Sequence, residues 1–177
     1  MKLIKGLQGA AFGLVDGVIC ISGMIVGVAI ASDDLRIIFI SAVTGGLTDA
    51  LGNSIGMYLS GYSERGAQIH SKEHGINETV HSRSEILDSS ILSFLTTLLI
   101  MVVMLAPFYF LDIAKSIIVC IVLSVITLLG LGFYVGKLSG EQPLKTCIKF
   151  VGLGIIGIVF SYLIGNVLKV VLLTFFV

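Results

Sequence analysis

Asp16 and Asp49 stand deep inside long apolar stretches of this chain, with no Lys or Arg near either in sequence. A carboxylate at the depth of a bilayer core costs roughly 2.5–3.5 kcal/mol on insertion scales, so one retained there marks a polar or ion-binding site. Spacing adds partners. Asp16, Cys20 and Met24 fall at i, i+4 and i+8 and share one face of a helix. Asp49, Asn53 and Met57 do the same, with Ser60 close by. Two such stripes facing each other would present carboxylate and amide oxygens beside thiol and thioether sulfur. Hard oxygen suits Mn²⁺ or Fe²⁺, and sulfur biases a site away from Mg²⁺ and Ca²⁺. A buried carboxylate site can also pass between a protonated and a cation-bound form, which is a basis for proton-coupled transport. Plainer roles exist for each residue. Met24, Met57 and Cys20 are ordinary core fillers. Asn53 could link two helices, and Asp49 could pair with a hydroxyl such as Thr48 or Ser22.

These residues need helices to hold them, and the composition says which kind. Of 177 residues, 56% are hydrophobic and only 12% are charged, where a soluble domain carries about 25%. Net charge is zero, which gives nucleic acid nothing to bind. Gly is abundant at 21 and Pro scarce at 2, as suits closely packed membrane helices. A span needs about 20 mainly apolar residues, and five stretches qualify: 9–31, 37–61, 89–111, 116–135 and 146–173. The basic start, Met1 to Lys5, precedes an apolar run too long for a signal-peptide core, so an uncleaved first span is expected. The chain therefore reads as a single all-α membrane domain, 1–177, with five transmembrane helices. The polar stretch 62–88 reads as a short cytoplasmic loop, partly helical and interrupted at Gly66 and Gly75. Pro107 is expected to kink the third helix near its outer end.

Orientation follows from the basic residues. With the N-terminus inside, eight lie on the inner side (Lys2, Lys5, Arg65, Lys72, Arg83, Lys137, Lys145, Lys149) and three toward the outside (Arg36, Lys115, Lys169). The N-terminus is expected in the cytoplasm and the C-terminus outside. At a rise of about 1.5 Å per residue, Asp16 lies about 11 Å from the inner start of span one, Asn53 about 12 Å and Asp49 about 18 Å from the inner end of span two. The three can meet between antiparallel neighbours.

Small residues recur at four-residue spacing: Gly9, Gly13 and Gly17; Gly23 and Gly27; Gly52 and Gly56; Gly132, Gly136 and Gly140; Gly157, Ser161 and Gly165. This lets helix backbones approach closely. The cysteines at 20, 120 and 147 have no CxxC spacing and suggest neither disulfide nor zinc site. The 62–88 stretch holds all three histidines. His70, His74 and His81 with Glu78 or Glu85 could form a metal-collecting stripe, or merely a solvated connector. His70-Ser71-Lys72-Glu73-His74 also fits the H-x-x-E-H protease pattern, but it sits in a short segment with no domain to supply a third ligand or a cleft. No histidine lies in any span to activate Ser22 as a nucleophile. No enzymatic role and no resident cofactor is expected.

Gly13-Leu14-Val15-Asp16-Gly17-Val18-Ile19, followed by Gly23-Met24-Ile25-Val26-Gly27-Val28, resembles the first-helix motif of the vacuolar iron transporter family. Gly45-Gly46-Leu47 and Ser54-Ile55-Gly56-Met57-Tyr58-Leu59-Ser60 resemble that family's small-residue second helix. Gly136-Lys137-Leu138-Ser139-Gly140 through Pro143 to Tyr162-Leu163-Ile164-Gly165 resembles its fourth-to-fifth span hairpin. The resemblance implies an all-helical homodimer that moves Fe²⁺ or Mn²⁺ out of the cytosol against protons, along the first helices near the dimer interface. Asp16 matches the family's metal-binding aspartate. This chain departs from the pattern on the second helix, where Asn53 and Met57 stand for the usual Met and Glu, and Asp49 replaces a small residue. The family's Glu-rich cytoplasmic domain is reduced to 62–88.

The expectation is a proton-antiporting carrier of Fe²⁺ or Mn²⁺ in the cell membrane of a prokaryote. Its metal ligands are Asp16, Asp49, Asn53, Met57 and Met24, and its partners are metal ions, protons, lipid and a second copy. The competing reading is a membrane scaffold whose buried carboxylates only hold helices together.

Overall fold

The computed structural model describes residues 2–76 and 79–175, with side chains from 8 to 76 and from 79 to 174. The described residues form helices α1 (Lys2–Ser32), α2 (Leu35–Glu73), α3 (Arg83–Leu105), α4 (Pro107–Phe110), α5 (Ile113–Leu138) and α6 (Pro143–Phe175). Five helical stretches are long and apolar enough to cross a membrane: Gln8–Ser32, Leu35–Glu73, Arg83–Phe110, Ile113–Leu138 and Pro143–Thr174. These are the five spans expected, and each starts before its apolar segment; all but the third, which stops at Phe110, also run past the segment's end.

The ends of the helices follow from local chemistry. Asp33 takes a left-handed conformation (φ 51°), and Asp34 caps α2 by accepting from the Arg36 amide at 2.7 Å. The α2 helix does not stop at residue 61. It continues to Glu73, and Gly66 is carried inside it rather than interrupting it. At about 1.5 Å per residue its 39 residues measure about 58 Å, nearly twice a bilayer core, so the polar end must project from the membrane. Gly75 is the residue that ends it. With φ +82° it lets the Ile76 amide reach Ser71 O (3.1 Å) and its own amide reach Lys72 O (3.1 Å). Helix α3 starts six residues before the expected Ser89. Ser82 Oγ accepts from the Glu85 amide, and Glu85 Oε2 accepts from the Ser82 amide, each at 3.2 Å. Pro107 breaks the third span, as expected. Ser116 Oγ, from α5, donates to Pro107 O (3.1 Å) and Leu111 O (3.2 Å), satisfying carbonyls at the break.

Helix α1 is the centre of the bundle and packs on α2, α3, α5 and α6. Helix α2 packs mainly on α1 and α3, which leaves its remaining face uncovered among the described residues. Beyond Asp16 the contacts are apolar: Val18, Ile21, Ile25 and Ala29 of α1 bury against Ile38 and Ala42 of α2 and Ile100, Met104 and Leu105 of α3. On the N-terminal side of Asp16 they are small and polar. A Cβ on Gly9 would strike Ser89 O, one on Gly13 would strike Ser93 O and Thr96 Oγ1, and one on Gly17 would lie 3.3 Å from Thr97 Cα. The Gly23, Gly27, Gly157 and Gly165 positions bring α1 and α6 together in the same way, and Gly132 and Gly136 bring α5 to α6. By contrast, Gly52 and Gly56 on α2, and Gly140, meet nothing within 4 Å.

The close approach of α1 to α3 makes a direct prediction. Gly13→Ala should destabilise the protein by about 1–3 kcal/mol, because backbone on α3 has to move. Gly130→Ala, where nothing lies within 4 Å, should be neutral or stabilising by up to about 1 kcal/mol. Unfolding of both variants in detergent, followed by circular dichroism, checks the pair; equal effects would refute the tight contact.

Candidate metal centre

The glycine-lined contact of α1 with α3 sets the depth of a polar cluster at which α2 also arrives. Asp16 projects from α1, Asp49 and Asn53 from α2, and Thr97 from α3. Asn53 Nδ2 donates to Asp16 Oδ2 at 2.7 Å and lies 3.5 Å from both Asp49 Oδ2 and Thr97 Oγ1. Cys20, one turn beyond Asp16, directs its Sγ to Asp16 Oδ1 at 3.5 Å. Thr97 is fully buried, and its Oγ1 donates toward Ser93 O (2.9 Å) and Gly13 O (3.2 Å). Three helices therefore meet at one amide.

Asp16, Cys20 and Asp49 each offer one ligand atom within 4.8 Å of the other two. Metal–ligand bonds of about 2.0–2.3 Å place neighbouring ligands some 3–4 Å apart, so a small inward movement would close this set on one ion. Among the described ion pairs none includes Asp16 or Asp49. The two hydroxyls considered as partners of Asp49 are used elsewhere: Thr48 Oγ1 donates to Thr44 O (2.9 Å), and Ser22 Oγ donates to Val18 O. Asp49 and Asn53 form part of the wall of an open cleft of about 600 Å³ on the uncovered side of α2, with Thr44, Gly45, Thr48 and Gly52. The cluster is thus half-buried between helices and approachable from one side.

The proposed sulfur ligands stand at the margins. Met24 lies against α2 one turn past Asp49, so close that a Cβ on Gly45 would come within 2.5 Å of its Sδ. Met57 is half-buried one turn beyond Asn53 in the other direction. Asp16, Asp49 and Asn53 come together as expected. Cys20 shares the Asp16 stripe in sequence but falls outside the expected ligand set, and Thr97 is a site neighbour to which the sequence does not point. The i+4 spacing from Asp16 already placed the thiol. Nothing in sequence could place Thr97, because α3 reaches the site only through tertiary packing.

The histidine stripe expected in 62–88 divides in two. His70 and His74 meet at the end of α2 with ring centroids 4.3 Å apart and planes tilted by 54°, and His74 Nδ1 lies 2.9 Å from His70 O. His81 lies instead in the turn, its Nε2 3.5 Å from Glu64 Oε1 and its Nδ1 3.7 Å from Glu85 Oε2. Its backbone is pinned as well: Gln68 Oε1 accepts from the His81 amide (2.8 Å), and Arg65 donates to His81 O. Glu85 serves both the helix cap and this histidine. Glu78 lies outside the described residues.

Residues 66–166 match the profile of the VIT family, which is more than half of the chain. The chain belongs to that family, a family of membrane transporters of metal ions, as the first-helix and hairpin motifs suggested. It is also similar to an uncharacterized protein of Methanocaldococcus jannaschii, with 23% identity over 164 residues, 85% of each chain. The family match begins after Asp16, Asp49 and Asn53, so the case for those three as a site rests on their geometry.

Thr97→Val keeps shape and volume but removes the hydroxyl shared by Gly13 O, Ser93 O and the Asn53 amide. The expected loss is about 1–3 kcal/mol of stability, together with weaker Mn²⁺ binding, measured as unfolding in detergent with and without the ion. A variant as stable as wild type with unchanged Mn²⁺ response would remove Thr97 from the site.

Proposed function

We propose that this protein carries a divalent transition-metal ion, Fe²⁺ or Mn²⁺, out of the cytosol in exchange for protons bound at the Asp16–Asp49 site. The observation that carries this reading is the convergence of two carboxylates and a thiol from two helices, with no ion pair to either carboxylate among the described residues, inside an apolar bundle. Anionic oxygens held away from water require a positive partner. A divalent ion satisfies both carboxylates at once, and protons satisfy them after it leaves. Asp16 and Asp49 are the principal ligands, Asn53 and Cys20 support them, and Met24 and Met57 flank the site as soft contacts along the path. Sulfur and carboxylate together favour Fe²⁺ and Mn²⁺ over Mg²⁺ and Ca²⁺.

The distribution of Lys and Arg supports a cytoplasmic N-terminus. The projecting end of α2, with Glu64, His70 and His74, and the turn into α3, with His81 and Glu85, then lie in the cytosol, where they could gather ions. A homodimer is supported by the uncovered face of α2. Ile40, Leu51 and Ile55 are 65%, 53% and 57% exposed there, beside a cleft that would otherwise open Asp49 to acyl chains. A second copy on this face would cover the cleft and use the unfilled space at Gly52 and Gly56. The similarity to an archaeal protein fits a prokaryotic cell membrane as the location.

Two measurements test this. In proteoliposomes with an imposed pH gradient, wild type should take up Fe²⁺ or Mn²⁺ and Asp16→Asn should lose at least about tenfold of that flux; a well-folded wild type that moves neither ion would favour the scaffold role. Light scattering of the detergent-solubilised protein should give twice the mass of one chain, and a monomer in several mild detergents would count against the α2 interface.

A further inference from the structure

We infer that Asn53 is a two-position ligand: its amide nitrogen stands in for the cation when the site is empty, and its amide oxygen binds the cation when the site is filled. The inference rests on the metal-carrier reading above and adds a role for one residue.

The side-chain amide has a donor end and an acceptor end. Its Nδ2 lies 2.7 Å from Asp16 Oδ2 and 3.5 Å from Asp49 Oδ2. A carboxyl oxygen that carries no proton only accepts, and each acid keeps one such oxygen even when it holds an exchange proton, so the end that approaches Asp16 Oδ2 at 2.7 Å is the NH₂ group. The partly positive NH₂ group thus faces the same two acids that would hold a divalent ion. In that position Asn53 cannot ligate, because its hydrogens point at the metal. A half-turn about the Cβ–Cγ bond exchanges Nδ2 for Oδ1, two atoms of nearly equal size, so it needs no additional room. That torsion is broad and roughly two-fold for Asn, so both settings are accessible. Thr97 Oγ1, 3.5 Å from Nδ2, accepts from the nitrogen in the empty setting, and in the filled setting its single hydrogen would turn from Ser93 O and Gly13 O to the amide oxygen. Asn53 is also half-buried on the wall of the open cleft, within reach of an arriving ion.

A purely anionic residue here would hold the ion in the filled state but add like charge to the empty one. A purely apolar residue would do neither. The amide serves both states, so the empty carrier keeps its three helices together without cargo.

The test uses the full-length protein in detergent, with Mn²⁺ as the probe and asparagine labelled with ¹³C at Cγ. Infrared difference spectra of Mn²⁺-bound against metal-free wild type should show an Asn carbonyl band moving to lower frequency, and the band should vanish in Asn53→Leu. Asn53→Asp should melt below wild type without metal, yet bind Mn²⁺ at least tenfold more tightly and release it more slowly. A simple helix clamp would predict no carbonyl shift and no tightening. An unmoved carbonyl in Mn²⁺-saturated wild type overturns the inference alone. Failure of wild type to bind Mn²⁺ or Fe²⁺ overturns both the inference and the carrier reading.

Discussion

A pair of carboxylates inside an apolar helix bundle must find its hydrogen-bond partners within the protein, because acyl chains supply none. Most of the local architecture follows from that requirement. The Asn53 amide reaches Asp16, Asp49 and Thr97, which lie on three different helices. It can do so only because α1 and α3 come into backbone contact at Gly13 and Gly17, with Ser93 and Thr97 opposite. Ordinary side chains at those glycines would push α3 outward and leave Thr97 out of reach of Gly13 O. The small residues of α1 are therefore as much a part of the site as the acids.

The bundle divides at the depth of Asp16. On one side lies a dense core of Ile, Val, Leu, Met and Phe side chains that holds α1, α2 and α3 in register. On the other side, glycines meet serine and threonine: Ser54 Oγ is 2.9 Å from Ser90 Oγ, and Ser90 Oγ donates to Ser54 O at 2.6 Å. Such an interface packs well and presents hydroxyls along its length, whereas the apolar half resists rearrangement. The polar cluster sits at the junction of the two, with one side open to the cleft beside α2.

The α2–α3 hairpin beyond the membrane is held by its own polar chemistry. Gly75 stops α2, Ser82 and Glu85 start α3, and His81 between them is fixed by Gln68, Glu64, Glu85 and Arg65. This gives the projecting part of α2 a defined return path and places its histidines in two separate groups rather than one stripe.

The sequence by itself determined the five spans, because a run of apolar residues as long as the bilayer is thick has few alternatives to a helix. It also determined that Asp16 and Asn53 lie at matching depths, with Asp49 one turn deeper, since helical rise is constant, and that Cys20 shares the face of Asp16, since helical period is constant. The true end of α2 was harder to read. Gly66 resembles a breaker in sequence, but only Gly75 takes a positive φ and closes the helix with a Schellman pair of hydrogen bonds. The early start of α3 was legible in principle from Ser82 and Glu85, whose spacing is that of a capping box. Tertiary structure alone decided three things: that Thr97 joins the site, that His81 turns to Glu64 and Glu85 and away from His70 and His74, and that α2 keeps one face uncovered. Each depends on which residues distant in sequence are brought together, and neither period nor rise along a single helix carries that information.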